Sequence, residues 1–352
     1  MDRNSEEFES MGICAIYREA YKVTVSWKKI FSHIAFTLIL PLAIIFLVQI
    51  EISALLANKI KFNQIIDEYQ TGNSSYANIL QAHISSEIII LYASKVICWI
   101  FICVLSLLST SAVVYTIACI YSTKDITFKK VRGAVPKVWK RLMVTFLWNF
   151  LIVIVYNFIM ALVIFLLALL FLVLSQVFSF KFDVKSTAGI ILSVILMVFI
   201  FIPYLIGAMY ISLVWYLASV TAILENISGI EAMKKGKDLL KGKLWISFFT
   251  YVTLQICYSG TLSVFSSLVV HGHGGCLAVV GRVILGIFCL VLLVMFLHFG
   301  LVIQTIIYFV CKSHHKENID KSSLADHLDG YHHGDYVPLS SNENVQPAGA
   351  FV

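Results

Sequence analysis

A chain of 352 residues in which 59% are hydrophobic and only 13% charged lies far outside the range of soluble domains, and its mean hydropathy of +0.88 says the same. Its net charge of +6 does not mark a nucleic-acid binder, because the basic residues sit beside apolar stretches, where lipid is the nearer anion, and no stacking motif of aromatics and glycines accompanies them. An all-α integral membrane protein is therefore expected; a β-barrel would instead show short alternating segments.

The chain begins with "MDRNSEEFES", which is polar and mixed in charge. No signal peptide is visible, so the first span is expected to act as the targeting signal and the N-terminus to be retained. Residues 1–30 read as a cytosolic N-terminus in which Ile13, Ile16, Ala20, Val23, Trp27 and Ile30 recur at helical spacing, the pattern of an amphipathic helix. A hydrocarbon layer about 30 Å thick needs about 20 apolar residues per helix. Six stretches meet that length, at 31–50, 97–120, 144–174, 188–217, 245–269 and 283–310, and define a membrane domain over 31–310. The remaining 311–352 is polar and reads as a disordered cytosolic tail.

Lysine and arginine counts in the loops set the orientation. Arg18, Lys22, Lys28 and Lys29 precede the first span; Lys124, Lys129, Lys130, Arg132, Lys137, Lys140 and Arg141 lie between the second and third; Lys234, Lys235, Lys237, Lys241 and Lys243 lie between the fourth and fifth. The alternate loops hold few bases, so both termini are expected in the cytosol. Asn73 of "NSS" then falls on the lumenal side as a glycan acceptor, and Asn226 of "NIS" does not.

The basic segments share a plan. In "TFKKVRGAVPKVWKRL", Phe128, Val131, Val135, Val138 and Leu142 recur at helical steps; in "GIEAMKKGKDLLKGK" the corresponding series is Ile230, Met233, Lys237, Leu240 and Leu244, with Lys237 as its one departure. Amphipathic helices are thus expected near 127–142 and 229–244, and Pro136 is expected to kink or divide the first of them. With the N-terminal segment they suggest three related hairpins about 100 residues apart, each preceded by a basic amphipathic helix. Such a helix can lie in the interface, its stripe among acyl chains and its ammonium groups near lipid phosphates, each worth about 1 kcal/mol. Lysines flanking a span also serve simply to fix topology, and the residues leave both roles open.

The six-span plan, "VWKRLMVTFLW", "GIEAMKKGKDLLKGK" and the tail "ADHLDGYHHGDYVPL" resemble a plant-specific family of uncharacterised six-span membrane proteins, some labelled as binding a polyadenylate-binding protein. That family is in turn distantly similar to bacterial glycerophosphodiesterase-type membrane domains. The resemblance implies the six-span fold and no particular activity.

Other functions find less in the sequence. A coupled transporter or channel for a small solute is the alternative reading, but mid-span polar groups are few: His298, Asn149 and Asn157, and the run "SLLSTS" from Ser106 to Ser111. These fit hydrogen bonding and close packing between helices. Pro41 and Pro203 are expected to kink their spans. No span offers a ligand set for a metal or a nucleophile with its base, so no enzyme, metal or cofactor is expected. "HGHGGC", from His271 to Cys276, reads as a flexible turn, and His314, His315, His327, His332 and His333 form no closed ligand set. Most of the eight cysteines lie in spans; Cys14 and Cys311 are candidates for palmitoylation beside the membrane. "YVPL", Tyr336 to Leu339, matches the tyrosine-based peptide that clathrin adaptors bind as an extended strand. The sequence thus points to a non-enzymatic, membrane-organising or trafficking-associated protein of the secretory pathway.

Overall fold

The computed structural model describes residues 8, 11–69, 74–122, 128–177, 187–225, 227–271 and 276–315. Every regular element among them is helical. In chain order these are α1 (Ile13–Ser26), α2 (Lys28–Ile34), α3 (Leu40–Tyr69), α4 (Ser74–Tyr121), α5 (Phe128–Val177), α6 (Thr187–Leu224), α7 (Ile230–Leu240), α8 (Leu244–Val264) and α9 (Cys276–His314). Two π-helical turns, Ala35–Ile39 and Phe265–Val270, join α2 to α3 and extend α8.

Six stretches are long and apolar enough to cross a membrane: Lys28–Asn63, Ser86–Tyr121, Val138–Leu170, Met197–Leu224, Leu244–Val270 and Val279–His314. They overlap all six expected spans. The chain therefore has the build of a multi-pass membrane protein.

Several boundaries differ from the sequence reading. The helix expected near 127–142 is not separate, because α5 runs unbroken from Phe128 through position 136 to Val177. At 1.5 Å per residue, its 50 residues extend about 75 Å, more than twice a hydrocarbon core. Pro203 likewise lies inside continuous α6. Pro41 follows directly on a π-helical turn, Ala35–Ile39, in which Leu40 N–H donates to Ala35 O five residues back, a widened turn just upstream of a residue with no N–H to give. The helix of the last span continues to His314, past the expected start of the tail at 311.

Packing is lopsided along the spans. One end is a close-packed core built from Ile16, Ala20 and Val23 of α1, residues 112–121 of α4, Leu213, Leu217 and Val220 of α6, and Val302 to Cys311 of α9. Helix α9 is its hub and touches α1, α3, α4, α6, α7 and α8. Small and hydroxylated residues make that closeness possible: Thr116, Thr221 and Thr305 are fully buried, and each hydroxyl donates to the carbonyl four residues back in its own helix. The serines and threonine at 109–111 also bond within their own helix. They therefore contribute to association by being small, not by bridging helices. Toward the other end the helices show bare faces, such as Phe158, Phe165 and Leu166 of α5 or Phe199 and Ile206 of α6, as lipid-facing surfaces do.

Candidate functional site

The packed end carries the basic segments, and α7 shows how they are held. Gly229, at φ +65, opens the helix in the left-handed region, and its N–H donates to Thr145 Oγ1 of α5 at 2.9 Å. From there Ala232, Met233, Gly236, Leu239 and Leu240 form the buried face. A Cβ on Gly236 would lie 2.9 Å from Ala218 N and 3.0 Å from Val214 O, so this glycine sets the contact distance between α7 and the backbone of α6.

This geometry corrects the expected stripe. The buried row passes through Gly236 rather than Lys237, which is exposed, and Ile230 is 41% exposed instead of buried. The apolar face packs against α6, α5 and α9. In α1, Ile16, Ala20 and Val23 are fully buried against the bundle in the same way, and Tyr17 donates to Thr250 O of α8 at 3.2 Å. Burial raises the Tyr17 phenol above its ordinary value.

With its apolar face occupied, α7 turns Lys234, Lys237 and Lys241 outward. An open groove of about 610 Å³ runs along it, lined by Lys234, Lys235, Lys241 and His315 together with Glu231 and Asp238. Lys241 pairs with Asp238 at 2.7 Å, and this hydrogen bond lowers the carboxyl pKa and raises that of the ammonium, on an exposed surface where such a pair adds little stability. Lys235 has another task. It pairs at 3.0 Å with Glu225 Oε2, while Glu225 Oε1 accepts from Lys312 Nζ at 2.6 Å and Tyr308 Oη at 2.5 Å. Burial pushes the Glu225 carboxyl up, but the hydrogen bonds from Lys312, Tyr308 and Lys235 outweigh it and hold the group below the usual carboxylate value. Glu225 thereby ties the end of α6 to α7 and α9.

The other predicted residues divide. Lys140 is exposed; Arg141 and Lys243 are half-buried at the same end. Lys129, Lys130, Arg132 and Lys137 belong to α5, but their side chains lie outside the described set, as do Asn73 and the tail residues Tyr336 and Leu339. Asn157 Oδ1 accepts from Tyr204 Oη at 3.0 Å, an interhelical bond of the expected kind. Asn149 Oδ1 is buried without a partner among the described residues. His298, expected to bond a neighbouring helix, has both ring nitrogens buried and unpaired among the described residues, its ring set edge-on to Phe31 and Phe299. Cys14 is exposed, whereas Cys311 is fully buried against Ser247 and is not placed for acylation. Among the described residues no three His, Cys, Asp or Glu are grouped for a metal.

A second feature escaped the sequence reading. Where α4, α6, α8 and α9 converge, a cavity of about 160 Å³ is lined by Tyr216, Tyr251, Gln255, Tyr258, Gln304, Ser106 and Ser109, with Gly300 in its wall. Tyr216 donates to Gly300 O at 2.7 Å, and Gln304 Nε2 donates to Tyr216 O and Ser219 Oγ at 2.7 and 2.6 Å, locking α6 onto α9. The two glutamines within apolar spans were the available signal; tyrosines in such spans do not stand out from the hydrophobic background.

No curated protein and no solved structure matches the chain. A family model described as "Domain of unknown function (DUF8558)" matches residues 1–348, nearly the whole length, and the chain belongs to that family.

Proposed function

We propose that this is a non-enzymatic, membrane-organising or trafficking-associated protein of the secretory pathway, and that its packed, basic end faces the cytosol and contacts anionic lipid headgroups. The basic segments are read as three related lead-in helices, one before each pair of spans. The observation that carries the reading is the orientation of α7: its apolar face is spent on α6, α5 and α9, so Lys234, Lys237 and Lys241 are presented outward on a rigid support beside the groove. Near an anionic leaflet each such lysine contributes about 1 kcal/mol. The tail peptide at Tyr336 and Leu339 would offer a clathrin-adaptor contact on the same side.

Native mass spectrometry of the full chain tests this. Phosphatidylserine should be retained in preference to phosphatidylcholine, and the triple change Lys234→Glu, Lys237→Glu and Lys241→Glu should abolish the preference while leaving the Glu225 cluster intact. Equal retention of both lipids by the unaltered chain would refute the reading. Transport of a small solute is the second reading, and the polar cavity between the spans favours it.

A further inference from the structure

The cavity lined by Tyr216, Gln255, Tyr258 and Gln304 lies within the spans, not at their ends. Gln304 is about 15 Å along α9 from His314, and Tyr258 about 21 Å along α8 from Leu244, which sets both near the middle of a layer about 30 Å thick. Polar groups at that depth are costly unless they find partners.

Three groups here have none among the described residues. Gln304 is 5% exposed, and its amide orientation is fixed because Nε2 must donate to the Tyr216 carbonyl, which leaves Oε1 as an acceptor with no hydrogen bond among the described residues. The half-buried Tyr258 lines the space with its hydroxyl bonded to no described residue, and one helical turn before it on α8 Gln255, an exposed residue, brings its amide to the edge of the same space, also without a described partner. Space is left for a guest on the α9 side, where a Cβ on Gly300 would meet nothing within 4 Å. The walls are apolar and aromatic: Leu42, Leu254, Phe296 and Leu297, with the Tyr216 and Tyr251 rings edge-to-face at 5.4 Å.

We propose that this cavity is a binding site for a small, uncharged, polyhydroxylated molecule. Hydroxyl groups both donate and accept, as the acceptor of Gln304, the amide of Gln255 and the phenol of Tyr258 together require. No ionised side chain lines the space to neutralise a charged guest, so carboxylates and ammonium compounds are excluded by the cost of bringing them unpaired to this depth. A cavity of about 160 Å³ is close to the size that holds a benzene ring, so the guest is a short polyol and not a disaccharide. The site is independent of the lipid-contact surface, which lies on α7.

The test is saturation-transfer NMR on the full chain in nanodiscs, with erythritol as probe and tartrate, its charged counterpart of the same carbon count, as control. Erythritol should bind saturably and tartrate should not. Gln255→Leu and Tyr258→Phe each remove one hydrogen-bonding partner without breaking a described bond, and each should weaken erythritol about fivefold. Gly300→Leu fills the space and should abolish binding while the chain stays folded by circular dichroism. The proposal is overturned if no saturable erythritol binding occurs, the cavity then holding water only. It is equally overturned if tartrate binds as well as erythritol, or if neither the Gln255 nor the Tyr258 variant changes the affinity.

Discussion

Replacing Gly236 with alanine separates a docked α7 from one lying free on a membrane. On a free helix the change is favourable by about 1 kcal/mol, because alanine loses less backbone entropy than glycine. In the bundle the new methyl would sit 2.9 Å from Ala218 N, 3.0 Å from Val214 O and 3.2 Å from Ala218 Cα. All three are backbone atoms of a long helix, and nonbonded carbon pairs are comfortable only near 3.5–4.0 Å. Either α7 moves outward by about half an ångström or more, thinning its contacts through Met233, Leu239 and Leu240, or the clash stays as strain. Overpacking of this kind costs about 1–3 kcal/mol. Gly133 in α5 supplies the control, since a Cβ there meets nothing within 4 Å and Gly133→Ala should stabilise as the propensity scale says. Measured by chemical unfolding in detergent micelles, Gly236→Ala should therefore fall below Gly133→Ala by about 1–3 kcal/mol. If both alanines stabilise equally, α7 does not rest on α6 and the orientation of its lysines loses its basis.

Glu225→Gln removes the charge that Lys312, Lys235 and Tyr308 share, and should cost about 1.5–3 kcal/mol in the same assay. Because the folded carboxyl titrates below its ordinary value, its contribution is complete above that value and is lost as pH falls through the depressed one, so the unaltered chain should weaken on acidification and the variant should show a flatter acid limb. His298→Phe should change stability by less than about 1 kcal/mol, since neither ring nitrogen gives up a bond and the edge-to-face contact with Phe31 is kept; a loss above about 2 kcal/mol would mean that the imidazole has a partner. Maleimide labelling of the folded chain, read by peptide mass spectrometry, should modify Cys14 and spare Cys311.

The spans were legible because hydropathy over twenty residues integrates many weak preferences, and all six segments emerged from it. What the same pattern could not tell was where an apolar face points. In α7 the series Ile230, Met233 and Leu240 was readable as an acyl-chain stripe, and only the backbone of α6 shows that Gly236, with no side chain to score, is the residue at closest approach. Lys237 then ceases to be an anomaly, being simply off the buried row. Separate amphipathic and spanning helices were expected around 142, but no glycine or charge reversal stops the helix there and α5 continues through. Glu225 and Gln304 were hidden for another reason: their partners lie as many as 88 positions away in the chain, and chemistry assembled across helices leaves no local motif.

Photo-crosslinking is the most direct test of the central claim, that the outward lysines of α7 meet anionic headgroups. The full chain would be reconstituted with phosphatidylserine carrying a headgroup diazirine, or with a phosphatidylcholine counterpart, and the labelled peptides mapped. The account predicts adducts concentrated on the segment from Lys234 to Lys243, several times more with the anionic lipid than with the neutral one. Equal labelling by the two lipids, or anionic labelling concentrated near Lys59 and Lys61 at the opposite end, would contradict it.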